Sequence, residues 1–204
     1  MTQSGRAGCM RIGVLALQGD FALHARVLEQ CGVAAVEVRK PVELDEVDGL
    51  IMPGGESTTL LKLMDAWNFV PALEKFHSAG KPIFGTCAGL IILAREVESP
   101  KQFSLGLIDV TVERNAYGRQ RESFEASGTA RLDTGPIQLE MVFIRAPRIR
   151  RVGPGVEVLA EHGGEPVMAR QNRVLVATFH PELTDSTAVH RAFCDLVERS
   201  KTAS

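Results

Sequence analysis

Four short apolar runs, Met10–Leu17, Ala34–Val38, Asp48–Met52 and Lys81–Phe84, punctuate the first part of the chain. Runs this short with almost no polar member have no wet side, so they read as strands covered on both faces. Between the first two, Gln18-Gly19-Asp20 breaks the strand, and Phe21, Leu23, His24, Val27, Leu28 and Cys31 recur at helical spacing before Gly32 supplies a stop. A strand, a helix and a second strand in succession call for a parallel sheet with a right-handed crossover. The unit repeats in kind. Pro53-Gly54-Gly55 turns the third strand into a helix beginning at Ser57, with a second helical segment carrying Trp67, Phe69 and Leu73 after Asn68. Gly85-Thr86-Cys87-Ala88-Gly89 leads the fourth strand straight into the apolar helix Leu90–Ala94.

The second half carries a different pattern. Ile108–Glu113, Ser123–Arg131, Glu140–Ile144, Glu157–His162, Val167–Arg170 and Val174–Phe179 are strand-like runs divided by Gly, Pro and Asn, with Gln171-Asn172-Arg173 the clearest hairpin turn. Asp185 or Ser186 can cap a last helix to about Arg199, whose Val189, Phe193, Leu196 and Val197 make one stripe. The expected architecture is a three-layer α/β sandwich, a mostly parallel central sheet with an antiparallel extension.

A chain of 204 residues, 45% apolar and 24% charged, suits one globular domain. That domain is expected over 10–204, behind an N-terminal extension of residues 1–9, with Met10 a candidate initiator. The extension is small and polar instead of an apolar signal core, and no run approaches the ~20 residues of a membrane helix. The expectation is a cytoplasmic protein with no membrane partner. Four cysteines in no C-x-x-C pair do not make a disulfide scaffold, and 23 Lys+Arg against 25 Asp+Glu leave no basic field for nucleic acid.

Three segments can carry chemistry. G-x-C-x-G between a strand and a helix mirrors the nucleophile elbow, in which flanking glycines let a strained turn present its central residue. Helix dipoles would favour the Cys87 thiolate there, though in isolation Cys87 reads equally as a small buried residue beside a tight turn. Thr178-Phe179-His180-Pro181-Glu182 supplies a base and a carboxylate two residues apart, which leave an extended segment on one face at the end of a strand. Alone it reads as a solvated loop; beside Cys87 it reads as a catalytic pair. Met52-Pro53-Gly54-Gly55-Glu56-Ser57 offers backbone amides to an oxyanion or carboxylate, or is simply a turn with Ser57 capping the helix. Arg114 or Arg145 can grip a carboxylate, while Arg145, Arg148, Arg150 and Arg151 together suggest a solvated edge or a partner-facing patch. His24, His77, His162 and His190 are expected to pack or face solvent, Cys31 and Cys194 to act as small hydrophobes, and no metal-ligand spacing appears.

Cys87 within G-x-C-x-G, with His180 and Glu182, resembles the triad of class I glutamine amidotransferases, a family of flavodoxin-like fold. The strings LALQGD, MPGGEST, GTCAGLI, RNAYGRQ, FIRAP and TFHPEL are similar to those of one branch, the glutaminase subunits of pyridoxal 5'-phosphate synthase, from Met10 to the last helix. The resemblance implies that Cys87 attacks the side-chain amide of L-glutamine, that His180 oriented by Glu182 moves the protons, and that the amides of Gly55 and Ala88 form the oxyanion hole. It implies glutamine contacts at Gly55, Glu56, Ser57, Arg114, Ile144 and Arg145. No cofactor and no metal is implied. The resemblance further implies that ammonia passes, shielded from water, to a synthase subunit in a hetero-oligomer with glutaminases docked around a synthase ring, and that vitamin B6 is product, not ligand. Tyr117 stands where that branch often carries Phe. The competing readings are a glutaminase serving another synthase, such as that of imidazole glycerol phosphate, a catalytically silent regulatory subunit, and a redox-sensing cysteine protein.

Overall fold

The structure, a computed structural model, describes residues 10–114 and 123–202. The extension over 1–9 and most of the RNAYGRQ string, Tyr117 included, lie outside the described residues. The alternating part runs β1 (Arg11–Leu15), α1 (Phe21–Gln30), β2 (Ala34–Val38), β3 (Gly49–Met52), α2 (Ser57–Ala66), α3 (Phe69–Ser78), β4 (Ile83–Thr86) and α4 (Ala88–Leu93). It continues as β5 (Ala94–Glu98), β6 (Ile108–Glu113), β7 (Ser123–Leu132), β8 (Gly135–Ile144), β9 (Arg148–Val152), β10 (Glu157–His162), β11 (Glu165–Gln171), β12 (Val174–Ala177) and α5 (Ala188–Thr202).

One sheet of nine strands has the order β2-β1-β3-β4-β12-β11-β10-β7-β8. Pairings from β2 through β12 are parallel, and those from β12 through β8 are antiparallel. The antiparallel extension therefore equals the parallel core in number of pairings. Strand periodicity explains the layers, because neighbouring residues enter opposite cores. Ile12, Val14, Ile51 and Phe84 pack with Leu28 of α1 and Phe193 and Val197 of α5. Leu15, Leu50, Met52 and Ile83 pack on the other face with Leu60 and Met64 of α2, Leu73 of α3 and Leu90 of α4. Each of these large side chains is almost fully buried, which contributes roughly 1.5–3 kcal/mol apiece before chain entropy is charged.

Two strands depart from the expected pattern. Ala94 leaves α4 directly as β5 with no intervening loop, and the arginine-rich segment forms β9; together with β6 they make a second sheet, β5-β6-β9. The arginine edge of β9 is neutralised within the fold: Arg148 lies 3.4 Å from Glu165 and Arg151 2.5 Å from Asp109, and Arg150 pairs with Glu113. Asn68, in the left-handed region at φ 55°, separates α2 from α3. The β11–β12 hairpin turns at Asn172, also left-handed at φ 53°. Ser186 Oγ accepts from the Ala188 amide at 3.3 Å where α5 begins, and α5 runs on to Thr202.

Candidate active site

The site forms where two parallel strands end side by side. β12 runs alongside β4 in register from Val174↔Ile83 to Ala177↔Thr86, and the Cys87 amide continues that pairing by donating to Ala177 O at 2.9 Å. Cys87 has φ 47° and ψ −100°, a backbone state that L side chains rarely adopt, and it caps α4. The strain is held by packing on both sides. A Cβ on Gly89 would lie 2.1 Å from Met52 O, so only glycine lets α4 rest on the end of β3. The Cys87 thiol faces Ile144 O at 3.9 Å, at the end of β8.

His180 is the third residue after β12 and is pinned by its own amide, which donates to Val142 O at 2.8 Å. The expected same-face geometry of an extended segment does not apply here. Pro181–Leu183 is a short 3-10 turn, started by the fixed φ of proline, and it folds Glu182 back beneath the imidazole. The ring Nδ1–H donates to Glu182 Oε1 at 2.8 Å, and both residues are buried. Burial opposes the charged form of each. It is overcome at His180 by the neighbouring Cys87 and Glu182, which raise the imidazole to about 10. Glu182 is held far below the ordinary carboxylate range by His24 and His180. The buried His180 Nε2 has no hydrogen-bond partner among the described residues.

A cavity of about 250 Å³ opens over Cys87 and His180 and is bordered by Gly55, Glu56, Ser57, Arg114, Ile144 and Arg145. Every substrate-contacting residue expected from sequence therefore borders it; Glu182 lies behind His180, and Ala88 is the first residue of α4. Asp20, Ile91 and Pro147 complete the border and were not among the expected residues. Asp20 brings a carboxylate within 4.8 Å of ligand atoms of His180 and Glu182, the one such grouping among the described residues; two of its three members are already committed to each other. A larger cavity, about 450 Å³, lies away from these groups beside Cys31 and Cys194, with the Cys194 thiol pushed up to about 12 by burial.

The glycine-bearing turn is built differently from the simple cap. Glu56, not Ser57, is the N-cap of α2: its carboxylate accepts from the amides of Thr58 at 3.3 Å and Thr59 at 2.8 Å, and from both hydroxyls. Burial works against its ionisation, but these bonds hold it at about 2. Ser57 is instead the first helical residue, its hydroxyl donating to Gln102 Oε1 at 3.2 Å. The same Glu56 carboxylate stands 3.5 Å from Arg114, whose side chain is 10% exposed. Ile144 and Arg145 form an exposed rim, Arg145 with φ 45°.

The remaining histidines divide. His162 is wedged against Phe124 and Phe143, as a packing residue. His24 and His190, expected to pack or face solvent, are buried and reach the site: His24 Nε2 lies 3.3 Å from Glu182 Oε2, and His24 Nδ1 lies 2.9 Å from His190 Nε2. No local pattern could have shown this, since their contact spans 166 positions.

Residues 14–199 match the model of the SNO glutamine amidotransferase family. The chain is 56% identical over 188 residues to the pyridoxal 5'-phosphate synthase subunit PdxT of Koribacter versatilis, covering 92% of this chain and 96% of the relative. It is 51% identical to the protein of the same name from Brevibacillus brevis, covering 93% and 98%. Among solved structures, a glutamine amidotransferase superposes with a TM-score of 0.84 at 47% identity, over 92% of this chain and 98% of the other. PurLQS from Thermotoga maritima, 16% identical, shares the fold with a TM-score of 0.67 over 95% and 97%.

Proposed function

The chain belongs to the SNO glutamine amidotransferase family, and we propose from that premise how its residues divide the work. The activity is a glutaminase's, hydrolysis of L-glutamine to L-glutamate and ammonia for pyridoxal 5'-phosphate synthesis. The Cys87 sulfur attacks the side-chain carbonyl carbon of glutamine. The amides of Gly55 and Ala88 receive the negative charge that develops on the carbonyl oxygen, the role in which fixed donors lower a barrier most. His180, protonated at neutral pH, gives its Nε2 proton to the leaving nitrogen; the C–N bond breaks and ammonia departs, leaving a γ-glutamyl thioester. His180 then takes a proton from water as the water oxygen attacks the thioester carbon. The C–S bond breaks, glutamate leaves, and Cys87 and the protonated His180 return to their starting state. Glu182 holds Nδ1–H throughout, which fixes the reactive nitrogen toward the substrate.

Arg114, aimed by Glu56, takes the α-carboxylate of glutamine, and Ser57, Ile144 and Arg145 close around the rest of it. The observation that carries the reading is the shared end of β4 and β12, where a strained Cys87 and a Glu182-bound His180 border one cavity. Ammonia is delivered to the synthase subunit, with glutaminases docked around a synthase ring. Residues 10–204 act as one domain, supported by the single nine-stranded sheet that both cores share. The cytoplasm is the proposed compartment; among the described residues three free thiols suit a reducing environment, and no helix is long and apolar enough to cross a membrane.

The test is glutamine turnover by the complex with its synthase subunit. Cys87→Ala is expected to abolish ammonia release and trapping by an electrophilic glutamine analogue, while binding of the synthase persists. Wild-type turnover by that variant would remove Cys87 from the mechanism.

A further inference from the structure

Glu182 uses one oxygen to hold His180; its other oxygen is buried and accepts no hydrogen bond among the described residues. A buried carboxylate oxygen left without a donor is costly, and it leaves the carboxyl free to rotate about its own axis. The nitrogen that faces it is His24 Nε2, 3.3 Å away, on the inward side of α1. Thr86 Oγ1, in the strand that ends at Cys87, lies 3.3 Å from the same nitrogen.

Proton placement follows from the partners. An ionised carboxylate only accepts, so the His24 nitrogen turned toward it, Nε2, carries the hydrogen. If His24 is neutral, Nδ1 is then an acceptor, and what stands 2.9 Å from it is His190 Nε2 on α5. His190 therefore donates through Nε2, and its own Nδ1 is the bare nitrogen, buried with no hydrogen-bond partner among the described residues. Burial above all excludes the charged form of His190 and holds it at about 3, so the ring is neutral as this arrangement requires. Phe84 meets both rings edge to face, at 6.4 Å from His24 and 6.1 Å from His190, and fixes their planes. With the hydrogens so placed, each Nε2–H points one step nearer the reacting centre, His190 toward His24 at 2.9 Å and His24 toward the Glu182 carboxylate at 3.3 Å.

We propose that His24 is a positioning residue for glutamine hydrolysis, acting through Glu182 on His180, and that His190 sets the His24 tautomer from behind. The inference rests on the triad reading above. Without the His190 donor, His24 can carry its hydrogen on Nδ1 and turn a lone pair on the carboxylate. Without His24, Glu182 loses the contact that locks its plane, and His180 loses its aim.

The test compares kcat with KM for glutamine in the complex with the synthase partner. A glutamine side chain can place an amide donor where His Nε2 stands, whereas leucine keeps bulk alone. His24→Leu is expected to lower kcat on the order of 100-fold, the scale of a misplaced catalytic group, with KM little changed. His24→Gln is expected to recover most of that loss. His190→Leu and His190→Gln should show the same split with a smaller loss. Wild-type kcat in His24→Leu overturns the proposal, as do equal losses in the leucine and glutamine variants, which packing alone would produce. Should His24→Leu fail to fold, the His190 pair decides by the same criterion. A dead Cys87→Ala beside unimpaired His24 variants sinks this inference alone; an active Cys87→Ala sinks the triad reading beneath it.

Discussion

Gly54 is glycine because His180 occupies the place its side chain would take. A Cβ there would lie 2.3 Å from His180 Cε1, 3.0 Å from Nδ1 and 3.3 Å from the Cys87 Cβ. Gly54→Ala must move the imidazole, since the Cys87 backbone is itself held by the Ala177 pairing. The ring then leaves its position by a fraction of an ångström to an ångström, and kcat is expected to fall on the order of 100-fold. Because one methyl at a strand end displaces a side chain and not a layer, the urea midpoint should shift little; a large loss of stability with kcat intact would contradict this account. At this scale the sequence was legible where the partners are neighbours. Cys87 between its glycines and His180 two residues from Glu182 are readable from a few positions. Asp20, His24 and His190 were not, because what they touch is assembled by tertiary packing, and inward spacing on a helix says only that a residue is buried.

The elbow works as an element because glycines stand where the start of α4 meets the parallel strands. Gly85 and Gly89 face each other: a Cβ on Gly85 would stand 2.7 Å from the Gly89 carbonyl carbon, and one on Gly89 2.1 Å from Met52 O. Both contacts are backbone, so neither can relax by a rotamer change. Gly89→Ala is therefore expected to cost about 3 kcal/mol, the upper range for overpacking, and to lower turnover by lifting α4 and Cys87 from β3. Urea unfolding and glutaminase rate measured on one preparation check both, and an unchanged midpoint would refute the packing argument. Element boundaries show what patterning can carry. β2, β6 and β10 coincide with apolar runs or alternating runs bounded by turn residues. β5 and β9 escaped because Ala-Arg-Glu-Val-Glu and Arg-Ile-Arg-Arg-Val each bury few positions, and because β5 follows α4 without a break to announce it. The Ser57 cap was misplaced by one residue since serine and glutamate both accept from the first turn, and local preference favours serine.

The whole molecule inherits a pH dependence from the histidines at the centre of its sheet. His180 holds its proton to about pH 10 when folded, against 6.5 when unfolded. Across that window the folded state binds more protons, so stability falls as pH rises. Cys194, pushed up to about 12 from 9.0, extends the loss at the alkaline end. His190 has the opposite sign: its proton is excluded until about pH 3, so the unfolded state binds more protons between 3 and 6.5 and stability falls as pH drops. Glu182, depressed from 4.5, adds to that loss at the acid end of the window. Stability should therefore peak near pH 6.5 and decline on both sides, in urea midpoints taken at intervals from pH 4 to pH 10. His180→Gln should flatten the limb between pH 7 and pH 9, and His190→Leu the limb between pH 6 and pH 5, each leaving the other slope in place. A wild-type midpoint that climbs from pH 7 to pH 9 would mean that His180 is neutral in the resting enzyme. It would then have no proton ready for the departing ammonia, so this stability curve also tests the first proton transfer in the absence of substrate.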